Sequence, residues 1–298
     1  MIATPTSVAF HIGVHKTATT HLQRCLRRAA HDLAANGVRY YGPDTLRLPG
    51  RSLQALFGLK HDAGDSGVKR AAAEQMALLC GNAHRLVLSE ENFIGPLNQP
   101  QGRTMKRRYK AADARLSALA EAIGQPIDVH LAVRRPTAFI NSAYCQMLLG
   151  GRVQPIQTYQ SRNGLGSVDW VDLVSRLRAA RGIGRVTVWR YEEYGDVFAQ
   201  IITGLVGQEA APLVAPRPRH INRGLSAAAV AQVLAQAQSG VVEDSAKMAR
   251  KALPIEDGHA PFDGFSHQEH AIGDAAYGRQ IAAIAQMDGV TLLRPDRG

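Results

Sequence analysis

The sequence predicts an α/β fold: a mostly parallel central sheet flanked by helices, followed by a helical C-terminal part. Three observations carry this expectation. Short apolar runs alternate with segments of helical period from residue 8 to about residue 206, the order that yields a parallel sheet with right-handed crossovers. The first run, Val8 to Ile12, passes through Gly13-Val14-His15-Lys16-Thr17 straight into a helical pattern, so a strand ends where a helix begins. With 298 residues, 45% of them hydrophobic, the chain can bury a full core. One domain over residues 1–298 is expected, with its core at about 7–206 and a helical extension at about 207–298.

The elements follow in order. From Thr17 onward, Leu22, Cys25, Leu26, Ala29 and Leu33 share one side of a helix that a glycine C-cap should end at Asn36-Gly37. "VRYYG" is a second strand, and residues 43 to 67, rich in Gly, Pro, Asp and Arg, form a surface excursion. A helix from about Val68 to Cys80 precedes the buried strand Leu86-Val87-Leu88, whose polar end is Ser89-Glu90-Glu91-Asn92. A helix around Ala112 to Ala122 leads to "PIDVHLAVRRP", a fourth strand. Pro136, suited to a first helical turn, opens a helix to Leu149. Residues 150 to 167 are polar and glycine-containing, as expected of a mobile loop over a site. A helix from Val168 to Ala180, the strand "RVTVWRYEE" and a helix from about Asp196 to Leu205 complete the alternation. Beyond it "PRPRHINRGLS" is extended, Ser226 caps an Ala-rich helix to about Gln238, and the last hundred residues pack helices on the sheet edge.

Composition narrows the function classes. The 35 Lys and Arg against 25 Asp and Glu give a net charge of +10, which favours anionic ligands. The densest basic stretch, "MKRRYK" (Met105 to Lys110), reads as a solvated loop or helix start. No zinc-finger spacing, aromatic RNA-binding strand or basic heptad pattern accompanies it, so no dedicated nucleic-acid binding is expected. No window approaches a membrane span, and "MIATPTSVAF" has no basic segment followed by a long apolar stretch, so a cytoplasmic location is expected. Cys25, Cys80 and Cys145 form no CxxC pair or metal cluster; Cys25 and Cys145 read as buried thiols.

The turn after the first strand carries the chemistry. Unpaired N–H groups at the helix start, the helix dipole and the Lys16 ammonium together favour a phosphate or sulfate. The nucleotide-triphosphate loop GxxxxGK[ST] is not met: Lys16 has no glycine before it, and Thr17, Thr19 and Thr20 cluster after it. "HIGVHKTATTHLQ" resembles instead the 5'-phosphosulfate loop of sulfotransferases that use 3'-phosphoadenosine-5'-phosphosulfate, commonly K[ST]GTT, with Ala18 in place of the glycine. That departure is mild where the backbone at residue 18 is already helical. "VRRPTAFINSAYCQML" resembles the same family's 3'-phosphate segment, an arginine at a strand end followed eight positions later by a serine: Arg134 and Ser142. Looser likenesses lie in "VWRYEE" and "HINRGLSAAAV".

The resemblance implies a P-loop-like core and a sulfotransferase. The donor is 3'-phosphoadenosine-5'-phosphosulfate and the product adenosine-3',5'-bisphosphate, held by His15, Lys16, Thr17, Ala18, Thr19, Thr20, Arg134 and Ser142. Lys16 would donate to the leaving phosphate oxygen, with Arg134 sharing the neutralisation and no metal required. Relatives use a histidine or a glutamate as base. Glu91 and Glu90 are the best-placed carboxylates, and the Ser-x-Glu-Asn block of bacterial relatives selects Glu91; His11, His15 and His21 compete. Arg135, Asn92 and Arg223 have ligand roles or surface ion pairs open to them. The acceptor, whether a small molecule, carbohydrate or lipid, is marked by no motif. A P-loop small-molecule kinase and a non-catalytic anion-binding protein are the alternatives.

Overall fold

The computed structural model describes residues 7–59, 70–100, 102–218, 224–240 and 244–296. Arg223 and most of "PRPRHINRG" lie outside them. The strands β1 (Ser7–Gly13), β2 (Val38–Tyr41), β3 (Arg85–Ser89), β4 (Ile127–Val133), β5 (Ile183–Arg190) and β6 (Val290–Leu292) form one sheet in the order β2-β3-β1-β4-β5-β6. Every neighbouring pair is parallel. Parallel strands need crossovers, which cover both faces with helices and leave the strands apolar on both sides. Val8, Phe10 and Ile12 of β1 thus enter one core cluster, and Ala9 the other.

The helix α1 (Thr19–Ala35) fills the second cluster with Leu22, Cys25, Leu26, Ala29 and Leu33, the face expected from the sequence. Each buried leucine there contributes about 1.5–3 kcal/mol of burial free energy. The C-terminal stop falls at Asn36, with Gly37 at φ 74°. From β1 the chain goes by α1 to β2 beyond β3, and later returns from β3 to β4 on the opposite side of β1. The carboxyl end of β1 is therefore a topological switch point, where open α/β sheets open a crevice. Gly13 is the last residue of β1, and the Glu90-Glu91 pair, Arg134 and Tyr191 follow the ends of β3, β4 and β5 respectively.

Three expectations are corrected. The C-terminal part is not wholly helical: after the helices Ala227–Gln238, Ser245–Ala252 and His267–Ile284, β6 pairs with β5. Residues 150–167 are no open lid. They hold the helix Ile156–Arg162, whose buried Tyr159 donates to Asn98 Oδ1 at 2.6 Å and packs on Tyr144. Nor is "MKRRYK" solvated throughout: Lys106, Arg107 and Lys110 are exposed as expected, but Met105, Arg108 and Tyr109 are buried, and Arg108 donates to the Leu97 carbonyl at 2.9 Å while lying over the Phe139 ring. Arg107 pairs with Asp172. Cys25, Cys80 and Cys145 are buried free thiols. Among the described residues no helix is long and apolar enough to cross a membrane.

Candidate active site

A cavity of about 950 Å³ opens over the carboxyl end of the sheet. Its wall includes His15, Lys16, Ala18, Thr19 and Thr20 from the loop and the start of α1, Glu91 and Asn92 after β3, and Arg134 and Ser142 at and beyond the end of β4. Residues far apart in sequence thus meet on one wall.

The loop's geometry follows from a few backbone positions. Gly13 has φ 101°, and a Cβ there would come within 2.9 Å of the Glu91 Cβ, so only glycine lets the loop pass this close to the end of β3. Lys16 and Ala18 both adopt left-handed backbone conformations, φ 64° and 65°. Helix α1 therefore begins at Thr19, two residues later than expected, with Ala18 as its N-cap and no side-chain cap or acidic residue in its first turn. Its leading N–H groups are left for an anion. The Ala18 backbone is not helical, so the family-like glycine would suit it better. The left-handed region costs a non-glycine residue about 1–2 kcal/mol, partly offset by the entropy glycine loses on folding. Ala18→Gly is expected to raise stability by about 0.5–1 kcal/mol, read as a higher denaturant midpoint; an unchanged or lower midpoint contradicts this.

Thr17 is turned differently from its neighbours. Its buried hydroxyl donates to the Val14 carbonyl at 2.6 Å, tying the loop to itself, and its side chain is absent from the cavity wall. Lys16 Nζ donates to Gln146 Oε1 at 3.1 Å. Burial, and then the charge of Arg134, lower the Lys16 pKa. Arg134 Nη1 donates to the Lys16 carbonyl at 2.8 Å, and its guanidinium lies 4.3 Å over the Tyr191 ring. The two elements expected to hold the two ends of a nucleotide are thereby joined directly. Arg135 is turned elsewhere, its N–H donating to Glu192 and its guanidinium 3.8 Å from Asp274.

The two glutamates separate clearly. Glu90 is buried, accepts from Arg47 with both carboxylate oxygens at 2.8 and 2.7 Å, and caps the turn after β3 by accepting from the Asn92 N–H. It is absent from the cavity wall. Glu91 lines the cavity; its Oε2 accepts from Gln23 Nε2 at 2.8 Å and its Oε1 from Arg47 Nη2 at 2.9 Å. Burial pushes its pKa upward, but the Gln23 hydrogen bond, its own backbone N–H and Arg47 outweigh burial and bring it below the ordinary carboxylate value. A carboxylate has about four lone-pair sites, so two donors do not exhaust it.

The histidines are engaged otherwise. His11 is buried in β1 against Ser89 Oγ at 2.8 Å, and burial lowers its pKa to about 4. His15 meets the Tyr109 hydroxyl at 3.1 Å through Nδ1 and Asn92 Oδ1 at 3.0 Å through Nε2. The tautomer assigned from this pairing carries its proton on Nε2 and accepts from Tyr109, which uses both nitrogens. His21 likewise meets Tyr194 Oη at 2.8 Å and the Arg217 carbonyl at 3.0 Å. Arg47, Gln23, Gln146 and Tyr191 belong to the site and carry no motif of their own, except that Tyr191 stands in "VWRYEE". Among the described residues no group of three or more His, Cys, Asp or Glu side chains is placed to hold a metal ion.

No family model and no curated protein matches the sequence. Solved structures give more remote likenesses. A sulfotransferase from Alicyclobacillus acidocaldarius superposes with a TM-score of 0.40 at 13% identity, over 84% of this chain and 96% of that one. Retinol dehydratase in complex with retinol and PAP gives 0.38 at 11% identity, over 98% and 84%. Retinol dehydratase in complex with androsterone and inactive cofactor PAP gives 0.36 at 12% identity, over 99% and 85%.

Proposed function

We propose that this protein is a sulfotransferase moving a sulfonate from 3'-phosphoadenosine-5'-phosphosulfate to a hydroxyl or amine. The observation that supports it is the meeting, on one cavity wall, of the Lys16 loop, the Arg134–Ser142 pair and a single carboxylate, Glu91. Sulfuryl transfer, like phosphoryl transfer, runs in line between two oxygens, so positioning and charge stabilisation carry the catalysis. The α1 N-terminus and the hydroxyls of Thr19 and Thr20 suit the phosphosulfate end. Arg134, whose fork is fixed by its bond to the Lys16 carbonyl and by the Tyr191 ring, suits the second phosphate.

Glu91 would take the proton of the acceptor hydroxyl as that oxygen bonds to sulfur. Lys16 would stabilise the electron pair left on the 5'-phosphate oxygen when the old sulfur–oxygen bond breaks. Glu91 is preferred to the histidines because His15 and His21 have both nitrogens engaged and His11 is buried.

Calorimetric titration tests this reading. Adenosine-3',5'-bisphosphate is expected to bind without metal, and Arg134→Ala to weaken that binding about 10- to 100-fold, the value of a charged hydrogen-bonded contact. A preference for magnesium-ATP would point to a kinase. Binding of neither, with steep salt dependence toward polyanions, would point to a non-catalytic anion-binding protein.

A further inference from the structure

The cavity wall carries seven cationic side chains against one carboxylate. Lys16 and Arg134 are assigned to the donor, Arg47 is already paired with Glu90 and Glu91, Arg152 donates to the Gln99 carbonyl at 3.0 Å, and Arg217 lies across from α1, its carbonyl 3.0 Å from His21 Nε2. Arg24 and Arg27 remain on the exposed face of α1, and among the described residues neither makes a hydrogen bond or an ion pair. From Thr20 they follow at spacings of four and seven residues, so the three share one helix face. At the rise of an α-helix they stand about 6 and 10 Å along it from the loop. That face begins beside the proposed base, because Gln23 of the same helix holds Glu91 Oε2. Asp32, more than a turn beyond Arg27, is the first acidic residue of α1.

Among the described residues of the wall, the non-polar side chains are Ala18, Pro96, Leu97, Pro218 and the Tyr191 ring, against seven cationic ones. A neutral acceptor would cover these arginines without pairing them and so lose their hydration without compensation. We infer that the acceptor is a hydrophilic polyol bearing its own carboxylate, sulfate or phosphate groups, which lie along Arg24 and Arg27 while its hydroxyl meets Glu91. This rests on the sulfotransferase reading and names the acceptor class for the same site.

The test is binding to full-length protein saturated with adenosine-3',5'-bisphosphate. The probes are tetragalacturonate, neutral galactotetraose and vesicles containing phosphatidylglycerol. Tetragalacturonate is expected to bind at least tenfold more tightly than the neutral sugar. The double variant Arg24→Gln/Arg27→Gln should lose at least tenfold of that affinity and keep the bisphosphate dissociation constant within twofold. Equal binding of the two sugars, binding of neither, or a preference for the vesicles overturns the inference. So does a double variant that loses bisphosphate affinity as much as sugar affinity, since the arginines would then serve the donor. Failure of the wild-type protein to bind the bisphosphate at all would instead overturn the sulfotransferase reading.

Discussion

Replacing Lys16 by methionine is expected to cut turnover by about 10²- to 10³-fold, the usual loss when a donor aimed at developing negative charge is removed. Methionine keeps the unbranched stem and removes the ammonium, so the change isolates the charge. The ammonium sits at a left-handed loop position on the cavity wall, oriented by Gln146 Oε1 at 3.1 Å. Its pKa is lowered by burial and then by Arg134, which makes it a readier donor to a phosphate oxygen as charge builds there. The charge matters most in the transition state, so bisphosphate binding should weaken far less than turnover falls. Release of bisphosphate in the presence of acceptor, with the dissociation constant measured in parallel, separates the two. Turnover within threefold of wild type would remove Lys16 from the chemistry.

Legibility in the sequence followed the kind of signal involved. Strands buried on both faces read as apolar runs, so β1, β3, β4 and β5 were visible, as was the α1 face through Leu22, Leu26 and Leu33. The three-residue β6 was hidden because Val290–Leu292 is too short to stand out beside a helix-rich tail. "MKRRYK" misled at Arg108 because a long basic side chain can be buried when a carbonyl and a ring meet it, as those of Leu97 and Phe139 do here, and sequence spacing shows neither partner. At the site, Lys16, Arg134 and Glu91 are marked by their places just past strand ends, and Ser142 by its spacing from Arg134 along the helix that follows β4. Arg47 lay in a featureless excursion and Gln23 on a helix face like any other; their bonds to Glu91 arise only when β2, β3 and α1 come together. The left-handed backbone of Ala18 has no signature either, since alanine is ordinarily a helix former.

Glu91→Gln should lower turnover by about 10²- to 10⁴-fold, the range for loss of a general base, and leave bisphosphate affinity within twofold. Glutamine preserves the shape and can still bond Arg47 or Gln23 through its carbonyl oxygen, so fold and nucleotide site should persist. The pH dependence provides an independent check. Because the native carboxylate titrates below the ordinary glutamate value of about 4.3, the active basic form persists through mildly acidic pH. The rate should stay flat on the acid side from neutrality to about pH 5 and fall only as pH drops through the depressed pKa. Stability follows the same sign: a depressed folded-state pKa stabilises the protein above the unfolded value, and that contribution disappears as pH falls through the folded one. Gln23→Leu removes the hydrogen bond that, after burial, weighs most on this group, so it should move the acid limb of the wild-type profile to higher pH. An acid limb near pH 6.5 that stays put in Gln23→Leu, together with near-normal turnover of Glu91→Gln, would transfer the role of base to a histidine.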